Sequence, residues 1–383
     1  MRRILSAALV ASSATIWGQS LLDPSRADRF NPLFQPQKNE KQFRCEVLPL
    51  RPQLNFSFRF QSGYAFRTSL SQFEGSGHRW RVLTRVTPVP AAAATTLFSN
   101  YRLQPVPKTK ATIESGGLFW VGEGAYNVDW VLADESGRVC RKQWKIEAKL
   151  NPAERGINPG IPPHTVAQVS FRRWSAADQG AADVPVLKKL TVFLHAAPLF
   201  PRLTHFRVQD RLTLLGSLAS LLESVPARDV HLVIFNLDQQ KELFRDEAFT
   251  PEAFDQAAQS MTNLQLQLVD YSVLKNRRGH LDLLADMIKQ EQSATEPSDA
   301  VIFIGPPTRY GDKVSAGSVD DKSIVGPRFF YLQYKPYLRA TAENADSVEL
   351  AVKKVHGKKI EIHTPHDFAR AIRQVEAQLV ARQ

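Results

Sequence analysis

Only two cysteines, Cys45 and Cys140, occur in 383 residues. That is too few for a scaffold held together by a disulfide framework, or for a four-cysteine zinc site. After residue 20 no apolar run approaches the ~20 residues that a membrane-spanning helix requires, so no transmembrane segment is expected once the first residues are removed. The chain has no Walker phosphate loop, no glycine-rich dinucleotide fingerprint, no H-E-x-x-H helix and no G-x-S-x-G elbow. Each of these motifs places a phosphate cradle, a metal or a nucleophile at one turn. Their absence argues against nucleotide-handling enzymes, helical zinc peptidases and α/β-hydrolases, and no cofactor is expected.

What is present suits a folded protein: 43% hydrophobic and 23% charged residues, which excludes disorder as the dominant state. The formal net charge is +11, but it is dispersed. Short basic patches such as FRRW (Phe171 to Trp174) and KNRR (Lys275 to Arg278) are separated by acidic stretches. No recognition helix, zinc finger or stacking platform accompanies them, so solvated surface is expected rather than nucleic-acid binding.

The opening MRRILSAALVASSATIWGQS has a basic start, an apolar core and small residues near Ser20. It reads as a signal peptide over 1–20, which implies an exported protein, periplasmic or extracellular. Residues 21–42, rich in Pro, Asn and Gln, are expected to form a disordered arm. From 43 to 150 the pattern is β. NFSFRF at Asn55 alternates with period two, and Tyr126, Val128, Trp130 and Leu132 share one face of a strand that turns at DESGR into another carrying Cys140, Trp144 and Ile146. Trp130 and Trp144 read as core residues. Cys45 shares strand parity with Phe43 and Val47, so both cysteines point inward from the first and last strands of the module. An oxidising compartment then permits a Cys45–Cys140 disulfide, with two buried free thiols as the alternative.

NPAERGINPGIPP opens a linker over 151–186, with one further strand possible at Val166 to Trp174. Over 187–383 apolar strands (LTVFLH, VHLVIFN, LQLVDY, AVIFIG, FFYLQY, KIEIH) mostly alternate with amphipathic helices. This predicts an α/β, doubly wound, mainly parallel sheet, with KELFRD as a short antiparallel edge strand.

Two resemblances follow from these residues. The Gly-x-Gly-x-Tyr run ending at Tyr126 resembles the tyrosine corner of immunoglobulin-like β-sandwiches. The order LTVFLH, long helix, VHLVIFN hairpin, FTPEAFDQAAQSM, HLDLLADMIKQ and KIEIHTPHDFARAIRQVEAQL resembles the von Willebrand factor type A domain. That resemblance implies a divalent-cation site at the carboxyl end of the sheet. The matching positions are His195, Ala196, Ala197, Pro198 and Leu199, then Tyr271 to Gly279 with Lys275, Arg277 and Arg278, then Gly305, Pro306 and Pro307. They lack the oxygens a hard cation needs, so no metal is expected.

His195 ends its strand where open α/β folds place ligands. As a catalytic base it would need Asp270 or Ser272 close by. His363, His366 and Asp367 in IHTPHD read as a helix start capped by Thr364 rather than as metal ligands. The long loop Pro306 to Pro327 is expected to be the variable surface, with Arg309, Tyr310, Asp312, Asp320 and Asp321, together with His195, as candidate partner contacts. The expected function is an exported, non-enzymatic protein-interaction or adhesion protein that works without a metal. The alternatives are a secreted hydrolase using His195, or a polyanion-binding envelope protein.

Overall fold

The computed structural model of the chain describes residues 19–380, apart from 39, 91–92, 172–186, 201–202, 263, 265, 267–270, 316, 320–325 and 337–345. The proposed signal peptide therefore lies, except for its last two residues, outside the described residues. The chain divides into two compact units: residues 1–54, 59–151 and 158–170 form one, and 55–58, 152–157 and 171–383 the other.

The first unit contains β1 (Ser20–Leu21), α1 (Pro24–Ala27), α2 (Asn31–Phe34), β2 (Cys45–Leu54), β3 (Phe60–Ser69), β4 (Arg79–Val89), β5 (Thr95–Arg102), β6 (Thr112–Val121), β7 (Gly124–Asp134), β8 (Val139–Ala148) and β9 (Val166–Gln168). They form two sheets, β1-β5-β4-β7-β8 and β2-β3-β6-β9, and every pairing is antiparallel. Period-two alternation sends Tyr64, Phe66, Trp80, Val82, Trp130 and Leu132 into one aromatic core. The Tyr64 and Trp130 rings meet edge to face at 5.5 Å, a geometry that adds to the burial of area alone. Trp144 packs, half-buried, against the same cluster.

Cys45 on β2 and Cys140 on β8 are bonded, with Cα atoms 6.2 Å apart; the bridge joins a strand of one sheet to a strand of the other. Tyr126 donates its hydroxyl hydrogen bond to the Gly122 carbonyl at 2.8 Å.

Residues 21–42 correct the expectation of a disordered arm. They form α1 and α2, and Phe34 is buried with Leu83, Val131 and Val139 on the outer face of the five-stranded sheet. Arg141 reaches the Leu33 carbonyl and pairs with Glu40. The apolar spacing of Phe30, Leu33 and Phe34 is what binds a segment whose Pro and Asn content reads as loop.

The second unit contains β10 (Leu187–His195), α3 (Val208–Ser224), β11 (Ala227–Asn236), β12 (Lys241–Asp246), α4 (Phe254–Thr262), α5 (Tyr271–Lys275), α6 (Gly279–Ser293), β13 (Ala300–Gly305), β14 (Arg328–Tyr334), α7 (Ser347–Lys354), β15 (Lys358–Ile362) and α8 (Pro365–Val380). One sheet runs β12-β11-β10-β13-β14-β15. β10 and β13 are buried almost throughout, because both faces of the central strands are covered. On α8, Phe368, Ile372, Val375 and Leu379 are buried on the expected stripe, and Phe368 packs on Phe56, Phe58 and Tyr334.

The expected fold class is corrected. The chain is β-rich, with three sheets, two of them antiparallel in every pairing, and is not a doubly wound parallel α/β protein. The third sheet is only partly parallel. The turn between β11 and β12 is too short for a crossover helix, so β12 returns antiparallel to β11. LQLVDY, expected as a strand, contributes none among the described residues: four of its six positions lie outside them, and Tyr271 begins α5.

Candidate functional site

The carboxyl end of the six-stranded sheet gathers most of the residues singled out from the sequence. His195 closes β10 beside Phe235 of β11 and stacks on that ring at 5.2 Å. Its Nδ1 lies 3.3 Å from the Pro306 carbonyl, to which Nδ1–H donates. Gly305, with φ of +155°, makes this approach possible: a Cβ there would stand 2.7 Å from the His195 Cβ. His195 is only 4% exposed, and burial pulls its pKa below the ordinary histidine value against the opposing charges of Asp238 and Asp346. The ring is therefore neutral at pH 7. Its Nε2 has no hydrogen-bond partner among the described residues.

Around it the loops are tied together. Asn236 donates to the Ala196 carbonyl at 2.7 Å and accepts from the Gln239 amide at 2.8 Å, which fixes the turn that carries Asp238. Arg309 lies 3.8 Å from the Asp238 carboxylate and donates to the Leu203 carbonyl. The Tyr310 ring stacks on buried His280 at 4.2 Å. Burial, reinforced by Asp238, raises the Tyr310 pKa. His280 Nε2 is 3.5 Å from Asp312; burial lowers the His280 pKa and Asp312 opposes the shift.

Beneath the loop sits Asp346, 1% exposed. Its carboxylate accepts from Tyr331 Oη (2.8 Å), Gln333 Nε2 (2.6 Å), Thr308 Oγ1 (3.0 Å) and the Val348 amide (2.9 Å). It thereby caps α7 and pins the start of the loop at once.

The Pro306–Pro327 segment is thus more than variable surface. Val314 and Val319 are buried in the unit's core with Phe303, Tyr331 and Val352. His195, Arg309, Tyr310 and Asp312 all lie at this end of the sheet. Of these, Arg309 and Asp312 are exposed, Tyr310 is half-buried, and His195 is enclosed. Asp320 and Asp321 lie outside the described residues. So do Asp270 and the Ser272 side chain, which leaves His195 as the one member of that proposed trio with a described side chain. His363, His366 and Asp367 form the helix start expected of them: the Asp367 amide donates to Thr364 Oγ1 at 3.1 Å. Among the described residues no group of three His, Cys, Asp or Glu side chains is placed to hold a metal.

Sequence reasoning missed Asn236, Asp238, His280 and Asp346. Asp346 carried a legible signal, an Asp immediately before the helical SVELAV pattern with Glu349 three residues on. The others become neighbours only through the sheet.

A second buried polar cluster lies further back along the same strands. Glu291 accepts from His231 Nδ1 (2.9 Å), Thr191 Oγ1 (2.9 Å) and Ser298 Oγ (3.0 Å). Burial alone would raise its pKa, but these donors outweigh burial and hold it below the ordinary carboxylate value. The other His231 nitrogen is occupied by Arg245 at 3.1 Å. Both ring nitrogens are engaged, so the cluster is a structural brace rather than a proton-transfer site.

No family model and no curated protein matches the chain. The von Willebrand A-like and immunoglobulin-like assignments are corrected by the architecture itself, which is β-rich with two sheets antiparallel in every strand pairing and a third only partly parallel; the strand patterns behind them recur across unrelated folds. Similar solved structures include a Bordetella pertussis protein assigned as ApaA (11% identity, TM-score 0.20, covering 29% of this chain and 99% of that one). Another is the sporulation control protein Spo0M from Bacillus subtilis (10% identity, TM-score 0.15, covering 29% and 50%). A third is a Bacteroides uniformis β-glucuronidase (8% identity, TM-score 0.20, covering 82% of this chain but 38% of that one). Overlaps this weak carry no argument about fold or activity.

Proposed function

We propose that the chain is an exported, non-enzymatic interaction protein that engages a protein partner at the carboxyl end of the second unit's sheet. One observation carries this reading: the loop that forms this end is anchored from below, by Val314 and Val319 in the core and by Thr308 on Asp346, while Arg309, Asp312 and Lys313 stay exposed. A pre-ordered surface with charges of both signs loses little entropy on docking and discriminates between partners. His195 supports the non-enzymatic part, because an enclosed neutral imidazole bonded to a backbone carbonyl is poorly placed to reach a substrate. The Cys45–Cys140 bond supports export. No helix among the described residues is long and apolar enough to cross a membrane.

The test is charge reversal, since removing the whole loop would strip Val314 and Val319 from the core. Asp312→Arg with Lys313→Glu should abolish partner capture from the native envelope fraction while thermal unfolding stays within a degree or two. Undiminished capture by a folded variant refutes the reading.

A further inference from the structure

Helix α5 presents what a soluble protein ordinarily hides. Tyr271 is 77% and Leu274 64% exposed; three residues apart, they share one helical face. Lys275, Arg277 and Arg278 follow immediately, all exposed, and Lys275 and Arg277 make no ion pair among the described residues. The segment is held in place. Gln240 Nε2 donates to the Asn276 carbonyl at 2.8 Å, the Arg278 amide donates to Asn276 Oδ1 at 3.2 Å, and Arg278 Nη2 reaches Ser315 Oγ of the Pro306–Pro327 loop at 3.0 Å. Of this set, Tyr and Arg are the residue types enriched at interface hot spots, and the exposed Leu274 and Lys275 lie beside them on a braced turn.

We infer that Tyr271 and Leu274, with Lys275 and Arg277, dock an acidic polypeptide segment that carries apolar side chains. This inference rests on the protein-binding reading above and names its partner's chemistry. Charge complementarity selects the occupant: two exposed cations, without an ion pair among the described residues, beside an apolar pair match carboxylates flanking an apolar anchor. The neighbouring surface favours a polypeptide over an anionic membrane, because Asp282 lies within 3.5 Å of Asn276 and Asp312, 67% exposed, sits beside His280. A planar array of lipid phosphates cannot avoid these carboxylates, whereas a flexible peptide can set its acidic side chains against Lys275 and Arg277 and its apolar or hydrogen-bond-donating groups beside Asp282 and Asp312.

The test uses the full chain against synthetic peptides of about fifteen residues, acidic with interspersed Leu, Phe or Val, beside equally acidic peptides lacking apolar residues. Heparin and vesicles containing about 30% phosphatidylglycerol complete the panel. Acidic apolar peptides should bind, and Tyr271→Ser with Leu274→Ser should weaken them about tenfold or more, as truncation of hot-spot side chains does. Lys275→Glu with Arg277→Glu should do the same and flatten the salt dependence. Peptide binding that both variants retain overturns the inference, as does absence of peptide binding. Equal binding of heparin or of the purely acidic peptides replaces it with a non-selective polyanion surface, and vesicle binding without peptide binding replaces it with a membrane contact. Envelope-partner capture lost on altering Asp312 and Lys313 but kept on altering Tyr271 and Leu274 sinks this inference alone; capture kept by both variants sinks the protein-binding reading as well.

Discussion

Replacing Asp346 by alanine removes one carboxylate from four donors, and the cost can be worked donor by donor. Loss of the cap on α7, where the Val348 amide is 2.9 Å away, is worth about 1 kcal/mol. The Tyr331 hydroxyl can turn to the Pro306 carbonyl at 3.2 Å and the Thr308 hydroxyl to the Tyr310 carbonyl at 2.8 Å, so each loses only part of its bonding. The Gln333 amide, 1% exposed, loses its 2.6 Å acceptor and keeps only the neighbouring Tyr331 oxygen; a buried donor left short of a partner costs ~1–3 kcal/mol. Together these give about 2–4 kcal/mol for Asp346→Ala. Asp346→Asn should cost at most about 1.5 kcal/mol, because Gln333 Oε1, which has no hydrogen-bond partner among the described residues, can flip to accept from the new amide. Urea denaturation followed by helical circular dichroism gives both values, and amide exchange of β13, β14 and α7 localises the effect. A loss under about 1 kcal/mol for alanine, or an asparagine variant as damaged as alanine, refutes the reasoning.

Further outcomes follow from other sites. Cys45→Ser with Cys140→Ser opens a link across a separation of 95 residues and should destabilise the first unit by about 4–5 kcal/mol on the chain-entropy model, read by fluorescence of Trp80, Trp120, Trp130 and Trp144. Glu361 has its pKa lowered to about 2, chiefly by the hydrogen bond from Lys335 and despite partial burial, with Lys359 assisting. A depressed folded-state pKa contributes stability above the unfolded value of 4.5, which is lost as pH falls toward 2. Glu361→Gln should therefore flatten the acid limb of the stability profile of the second unit, measured by denaturation at stepped pH. His195, lowered by burial, contributes stability that is present above the unfolded value of 6.5 and lost as pH falls below it. His195→Gln should reduce the loss of stability as pH falls below 6.5, and an unchanged slope there would show that the ring does not stay neutral.

How much of this was legible varies by element. The strands LTVFLH, VHLVIFN, KELFRD, AVIFIG, FFYLQY and KIEIH are all found as strands, as their apolar runs require. The α8 stripe and its Thr364 cap also follow from local spacing and side-chain chemistry. Strand parity pointed Cys45 and Cys140 inward and left a disulfide or two buried thiols open; the structure pairs them in a bond. Residues 21–42 were misread because Pro, Asn and Gln report backbone propensity, whereas Phe34 is held by a sheet face more than forty residues away in sequence.

The sequence by itself therefore determined most of the strands and helices of the second unit and the buried stripe of α8, since these depend on periods of two and 3.6 along the chain; it did not determine the state of residues 21–42, of LQLVDY or of NFSFRF, which is a turn between β2 and β3. Only the tertiary structure decided the order and direction of the strands, the enclosure of His195 under Pro306, and the pairing of Asp238, His280 and Asp346 with loops far along the chain. It also decided that Tyr271 and Leu274 stay in solvent. Those outcomes depend on which surfaces are covered by distant segments, and no local spacing encodes them.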